Sequence, residues 1–375
     1  MKILIAAGGT GGHLFPTLAV VDKLKNIYKE KITFHFFGRT DKIEGKIIPT
    51  LGYKLHATKL TGLVSSVSLQ TLKMPFHLLK SILQLKKLII NENIDAVLCA
   101  GAYLSVPAGL ACRLCGKKLF LMESNVNPGK AIKLLASSAT KIYTSFDETE
   151  NYFDNDIKTK IRNFGNPVRQ DIVKSVEVSM ESNDLQCTNN ETSQIAKSNS
   201  QHTSKGSLLV FGGSLGAKAI NDAMLRWLDN FSKTDYKVLW QTGSNFDLNA
   251  KLPSNIKIVP FIDDMASAYA DADLVVARSG ATTIAELCVV GKPAILVPLP
   301  SASTGEQYLN AKYLQDHNAA IVINNEDILD NLYPIIESLM NDKERLLNMS
   351  EALKSLAKPN ACSKIATDML EEIMK

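Results

Sequence analysis

No uninterrupted apolar stretch in this 375-residue chain reaches the about 18 residues that a membrane-spanning helix needs, so a helical integral membrane protein is not expected. The opening Met1–Gly12 enters an apolar run after one lysine and breaks at glycines, without the longer apolar core of a signal peptide. Cysteine is sparse. The six, at positions 99, 112, 115, 187, 288 and 362, lie mostly in apolar stretches, as thiols buried in a reducing compartment do. Cys112 and Cys115 have the spacing of a metal or redox pair, but no second pair accompanies them and they sit in a helix-like run, so neither role is expected. Excess charge is also missing. Lys+Arg number 42 against 38 Asp+Glu, a net +4, and no zinc-finger spacing or other nucleic-acid motif accompanies it, so nucleic acid is not an expected partner. These absences point to a cytosolic protein, or one held on a membrane by its surface.

What is present repeats a simple unit. The length exceeds the range in which one core keeps growing, so two domains of about 150 to 200 residues are expected. Lys2–Ala7 reads as a buried strand running into Gly8-Gly-Thr-Gly-Gly-His13, and Leu14, Leu18, Val21 and Leu24 then mark a helix. Ser207–Phe211 restarts the pattern, followed by Gly212-Gly-Ser-Leu-Gly-Ala217 and a helix containing Ile220, Met224 and Leu228. Two strand–glycine–helix openings imply two Rossmann-like halves, an α/β fold with parallel sheets facing across a cleft. The first opening differs from the nicotinamide fingerprint in its glycine spacing, and the second strand ends at Gly38-Arg39 without an obvious acid.

Within this frame several loops can carry chemistry. His13 sits where a strand gives way to a helix, placed either to take a proton from a hydroxyl or simply to cap the helix. Tyr103, after the strand Asp95–Cys99, and Asn125, after Leu119–Met122, can bind a sugar or merely fix their loops. Asp273–Gln307 reads as strand, helix, strand. Thr282 or Thr283 is positioned to cap the helix, Glu286 follows Thr283 as in a capping box, and Gly291 ends the helix. Such a helix start favours phosphate. The backbone N–H of Ile262 can read the edge of a flat base.

Two segments differ in composition. Gly62–Asn91 holds Lys73, Lys80, Lys86 and Lys87 with no acid, among Leu72, Met74, Phe76, Leu79, Ile82 and Leu83. It reads equally as a surface that rests on an anionic bilayer and as a core helix with a solvated basic face. Residues 175–205 are polar and lack a continuous apolar period, so a mobile surface excursion is expected there.

The motifs, taken in order, resemble the MurG family of inverting glycosyltransferases: GGTGGH at Gly8–His13, GAYLSVP at Gly101–Pro107, ESN at Glu123–Asn125, GNPVR at Gly165–Arg169, GGSLGA at Gly212–Ala217, FIDDM at Phe261–Met265, RSGATTIAE at Arg278–Glu286 and EQYLNA at Glu306–Ala311. The resemblance implies the glycosyltransferase B fold. It also implies transfer of N-acetylglucosamine from UDP-GlcNAc to the C4 hydroxyl of lipid-linked MurNAc-pentapeptide at the cytoplasmic face of the bacterial inner membrane, with an anionic membrane surface as a further partner and room for contacts with other cell-wall synthesis proteins. By resemblance, Thr10, Gly11, Gly12, His13, Tyr103 and Asn125 line the acceptor side, with His13 and Asn125 catalytic. Arg169, Ser214, Ile262, Ala281, Thr282, Thr283, Glu286 and Gln307 bind the donor: Ser214 and the helix start at phosphate, Ile262 at uracil, Glu286 at ribose and Gln307 at the sugar.

The implied domains are residues 1–165 with a closing helix at about 355–375, and residues 166–354 with the polar insertion. No metal and no cofactor are expected, since helix N-termini can meet the charge of the leaving pyrophosphate and Asp273 leads straight into a buried strand. Three departures from the family pattern stand out: Met122 replaces a common histidine, Glu306 stands where glutamine or histidine is frequent, and the insertion after Val173 is long. A different glycosyltransferase of the same fold, or a nucleotide-sugar-binding regulator without turnover, are the competing readings. The basic apolar segment and the combined loop motifs argue against an enzyme that decorates a small molecule, and His13, Asn125, Glu286 and Gln307 argue against a regulator.

Overall fold

In the computed structural model the described residues are 1–58, 60, 69–187, 206–213, 215–246, 252–300 and 305–375, with the side chains of 30, 69–73 and 179–187 set apart. The chain forms two compact units, Met1–Arg169 with Lys358–Lys375, and Gln170–Ala357. Arg169 is the last residue of the first unit before its closing segment.

The first unit is built on seven strands: β1 (Lys2–Ala6), β2 (Thr33–Gly38), β3 (Lys54–Ala57), β4 (Ala96–Cys99), β5 (Lys118–Glu123), β6 (Lys141–Thr144) and β7 (Ile161–Arg162). All pair in parallel in the order β3-β2-β1-β4-β5-β6-β7. Such a sheet is covered on both faces, which explains why β1 and β4 are apolar without alternation. One cluster gathers Ile3, Ile5, Leu14, Val21 and Phe36 with Ile365 and Met369 of the closing helix Ala361–Met374. The other gathers Leu4, Val97, Leu119 and Ile132 with Leu85 and Ile89. The closing helix is also tied by polar contacts. Tyr143 Oη donates to Asp368 at 2.8 Å, and Cys362 Sγ donates to the Ala19 carbonyl at 3.0 Å.

The helix Leu69–Asn91 has one buried side and one exposed side. Leu85 and Ile89 are fully buried, while Phe76, Leu79, Leu83 and Ile90 are 55–68% exposed beside exposed Lys80, Lys86 and Lys87. The side chains of Leu72 and Lys73 and all of residues 61–68 lie outside the described residues.

The second unit carries β8 (Gly206–Phe211), β9 (Tyr236–Gln241), β10 (Ile256–Val259), β11 (Leu274–Ala277), β12 (Ala294–Leu296) and β13 (Ala320–Val322). These are again all parallel, in the order β10-β9-β8-β11-β12-β13. The expected polar excursion at 175–205 is corrected in its first part. A helix runs over Gln170–Cys187, anchored by buried Ile172 and Val173, and residues 188–205 lie outside the described residues. Asp273, at the start of β11, accepts hydrogen bonds from Ser207 N at 2.8 Å and Ser207 Oγ at 3.1 Å, so its carboxylate joins two strands. Each sheet reverses strand order once, between β1 and β4 and between β8 and β11, and the loops leaving those strand ends are where ligands of open α/β sheets bind.

Candidate active site

In the first unit Ala6 of β1 lies in register with Cys99 of β4, so the turns that follow them emerge side by side. Gly9 takes φ +82°, a conformation that favours glycine. Thr10 is extended, and the helix Gly11–Tyr28 begins immediately after it. The Thr10 carbonyl accepts the N–H groups of His13 at 3.4 Å and Leu14 at 3.3 Å, and Thr10 Oγ1 lies 3.2 Å from His13 Nδ1. The opposite edge of the imidazole faces the turn after β4. A Cβ at Gly101, whose φ is +72°, would sit 3.2 Å from His13 Nε2, so the glycine makes room for the ring.

Two further predicted residues surround this loop pair. Tyr103 is half-buried near Arg39, and burial holds its phenol above the ordinary pKa. Arg39 in turn makes two bonds to Asp41, from Nε at 2.8 Å and Nη2 at 2.5 Å. Asn125 follows β5, where its backbone N–H and its Nδ2 both donate to Glu123 Oε1, at 2.9 and 3.3 Å. Glu123 Oε2 accepts Gly129 N–H at 2.8 Å. The ESN motif is therefore a buried carboxylate that sets the orientation of the Asn125 amide, and Met122 beside it packs into the core.

In the second unit Phe211 of β8 pairs with Ala277 of β11, and the turns beyond them border a pocket of about 570 Å³. Its wall includes Gly212, Gly213, Gly216, Gly280, Thr283 and Gln307. The glycines here allow backbone to meet backbone. A Cβ at Gly216 would lie 1.9 Å from the Thr242 carbonyl oxygen and one at Gly243 2.3 Å from that of Leu215. Arg278 also reaches the pocket wall, with its guanidinium buried. Nη1 donates to the carbonyls of Val297 (3.0 Å) and Pro298 (3.1 Å) and to Asn325 Oδ1 (2.9 Å), and burial lowers its pKa from the usual arginine value.

The helix Ala281–Val290 begins differently from the sequence expectation. Gly280 is its N-cap and no side chain caps it, so Thr282 and Thr283 lie inside the first turn and the capping box with Glu286 does not form. Gly291 does end it, in the left-handed conformation with φ +63°. The absence of a side-chain cap leaves the first-turn N–H groups of Ala281, Thr282 and Thr283 directed past Gly280, suited to an anion. Thr282 Oγ1 is buried without a hydrogen-bond partner among the described residues. Glu286 is buried one turn further in, and its Oε2 accepts the Tyr269 hydroxyl at 3.0 Å.

Gln307 is held by its side-chain oxygen, which accepts Leu299 N–H at 2.9 Å, and by its carbonyl, which accepts Ser279 Oγ at 2.8 Å. Ile262 follows β10 with a buried side chain, and its backbone N–H makes no hydrogen bond among the described residues. Arg169, expected with the donor set, is exposed at the end of the first unit. Ser214 lies outside the described residues.

Sequence reading missed the residues behind these loops. Glu44 is 1% exposed and accepts Gly9 N–H at 3.0 Å and Arg39 N–H at 3.1 Å. Gln241 is 4% exposed, accepts Gly212 N–H at 3.2 Å and donates to the Pro260 carbonyl at 3.0 Å. A polar residue at the end of a buried strand was the available signal for Gln241, and an acid in the first turn after β2 for Glu44. Neither pattern names its partner.

Comparison with known proteins agrees with this arrangement. Residues 3–144 match the glycosyltransferase family 28 N-terminal domain and residues 207–365 the family 28 C-terminal domain. The chain is similar to the UDP-N-acetylglucosamine--N-acetylmuramyl-(pentapeptide) pyrophosphoryl-undecaprenol N-acetylglucosamine transferases of Flavobacterium psychrophilum (32% identity, 100% of this chain and 97% of the relative) and Chlorobaculum tepidum (34%, 98% of each). Among solved structures it is similar to Acinetobacter baumannii MurG, with 25% identity, a TM-score of 0.73 and 99% of each chain covered. With two family models matched in order and relatives similar over the full length, the chain belongs to glycosyltransferase family 28, with the glycosyltransferase B fold, and within it to the MurG family.

Proposed function

We propose that the protein transfers N-acetylglucosamine from UDP-GlcNAc to the C4 hydroxyl of undecaprenyl-pyrophosphoryl-MurNAc-pentapeptide, with inversion at the anomeric carbon and release of UDP. The observation that carries this reading is the full-length similarity to transferases bearing that activity in their names. The geometry of each unit supplies a chemistry that fits. Attack by a hydroxyl needs a base, and His13, oriented by Thr10 and Gly101, takes the proton as the new C–O bond forms. Asn125, held by Glu123, orients the acceptor together with Tyr103. The departing UDP carries the negative charge. In the second unit the uncapped start of the Ala281 helix meets the pyrophosphate, Ile262 N–H reads the uracil edge, Glu286 accepts ribose hydroxyls, and Gln307 contacts the transferred sugar.

The acceptor is lipid-borne, and the helix Leu69–Asn91 offers a surface to match. Phe76, Leu79, Leu83 and Ile90 form an exposed apolar row flanked by Lys80, Lys86 and Lys87, suited to the headgroup boundary of an anionic cytoplasmic leaflet, so the protein works as a peripheral membrane enzyme. Incubation with UDP-GlcNAc and a panel of acceptors tests the activity: lipid-linked MurNAc-pentapeptide, a glycolipid precursor and small hydroxylated molecules. Mass analysis should find UDP and one added N-acetylhexosamine on the MurNAc acceptor alone. Equal transfer to the others, or donor binding without turnover, contradicts the proposal.

A further inference from the structure

Behind the turn that carries His13 lies a charged group that the proposed reaction does not use. Glu44 sits in the first turn of the helix Ile43–Thr50, following β2, with its carboxylate 1% exposed. It receives two backbone donors from two different strand ends, Gly9 after β1 (3.0 Å to Oε2) and Arg39 after β2 (3.1 Å to Oε1). No ion pair to it is formed among the described residues. A buried carboxylate is retained against its desolvation only where its bonds are specific, and here both oxygens are engaged by backbone.

The surrounding chain makes space for this one group. A Cβ on Gly8 would lie 2.5 Å from Glu44 Cδ and 2.7 and 2.8 Å from its two oxygens, and a Cβ on Gly38 would lie 2.6 Å from its Cγ. Neither glycine has a left-handed φ, and the three nearest atoms at each are all from Glu44. The side chains at these two strand ends are therefore absent because of the carboxylate, not because of the backbone.

We infer that Glu44 is a positioning residue for the acceptor-side turn: it fixes Gly9, and through Gly9 and Thr10 it fixes the imidazole of His13. The chain of contacts is short. Gly9 is held at φ +82° by its bond to Glu44, the next residue Thr10 accepts His13 N–H through its carbonyl, and Thr10 Oγ1 meets His13 Nδ1. The same carboxylate influences Tyr103, whose phenol it helps to keep protonated, although burial is the larger cause there. Only a side chain with two acceptor oxygens can take both N–H groups. Glutamine has one, and its amide NH₂ would face a second donor.

The inference rests on the proposed transfer reaction, with His13 as base, and its test separates the two. Glu44→Gln in the full-length enzyme, assayed with UDP-GlcNAc and lipid-linked MurNAc-pentapeptide, should lower kcat about tenfold or more, because one buried donor loses its partner and the base is displaced. The KM and binding constant for UDP-GlcNAc should stay at native values, a split that general loss of structure does not produce. Gly38→Ala is the second variant, since it pushes on the carboxylate without removing it, and it should show the same split. A native kcat in either folded variant, or a loss that follows only the fraction of folded protein, overturns the positioning role. Absence of transfer by the unmodified chain would instead overturn the reaction itself.

Discussion

After β1 the chain turns over the carboxylate of Glu44, and after β8 it turns beside the carboxamide of Gln241. Both side chains are almost fully buried and both accept the N–H of a loop glycine. They differ in charge and in what they do with their second polar atom. Gln241 donates to the Pro260 carbonyl and adds no charge, so the N–H groups of its turn and of the Ala281 helix keep their attraction for an anion. Glu44 places a negative charge under the turn that holds His13. That charge opposes an anion and favours a group that gains a proton during reaction. In the proposed reaction, two openings that look alike in sequence would thereby do different work, one in proton removal and one at a leaving diphosphate.

The largest effect that sharpens this contrast is expected at His13. His13→Ala should lower acceptor-dependent turnover by roughly 10²-fold or more while UDP-GlcNAc binding, measured by calorimetry, stays native. Turnover near native with an unchanged pH profile breaks the contrast, because His13 would then only shape the loop.

Next in size is Glu286→Ala. Removing the carboxylate strands the Tyr269 hydroxyl and takes away the proposed acceptor for the ribose hydroxyls, so UDP-GlcNAc affinity should fall by about 1 to 3 kcal/mol. Gln307→Ala should retain binding but discriminate less between epimeric sugars, read from competing turnover of UDP-GlcNAc and UDP-GalNAc. Unchanged affinity and preference in both variants would remove these residues from the donor site.

Membrane attachment is a property proposed for the first unit alone. Lys80→Glu with Lys87→Glu should weaken sedimentation with anionic vesicles, each lysine contributing about 1 kcal/mol, and flatten its dependence on salt. Undiminished sedimentation of the folded double variant would point to another surface.

The smallest effect concerns the outer strands of the first sheet. His35 Nδ1 and His56 Nε2 lie 3.1 Å apart, and burial is the leading cause that lowers both pKa values from 6.5. The unfolded chain then takes up protons that the folded pair resists, so stability is fully present above the ordinary histidine pKa of about 6.5 and declines as pH falls below it. His35→Gln should show a shallower loss of Tm between pH 7 and 5 than the native chain. An equal slope would place the pH sensitivity elsewhere.

Much of this architecture was legible because buried parallel strands are short apolar runs. Leu274–Ala277 and Ala294–Leu296 announce themselves by composition, and their glycine-rich exits locate the loops. Strand order was not legible, and it is the reversal between β8 and β11 that puts Gly212 and Gly280 on one pocket. The threonines at 282 and 283 misled because their type suits a cap, whereas Gly280 supplies the turn and the hydroxyls fall inside the helix. The helix over Gln170–Cys187 was hidden by its polar composition, although its beginning is anchored by buried Ile172 and Val173. Glu44 and Gln241 stand at positions that the sequence marks but does not explain, because what defines each is a backbone donor brought to it from another strand end.

The contrast between the two turns is tested most directly by titrating UDP-GlcNAc into two variants side by side, Glu44→Gln and Gln241→Glu. The first should bind like the native chain, because the altered charge lies under the acceptor-side turn. The second should bind about tenfold more weakly, because a carboxylate is introduced behind Gly212 and faces the Pro260 carbonyl. Equal affinities in the two variants, or a larger loss in Glu44→Gln, would contradict the division of labour between the glycine turns.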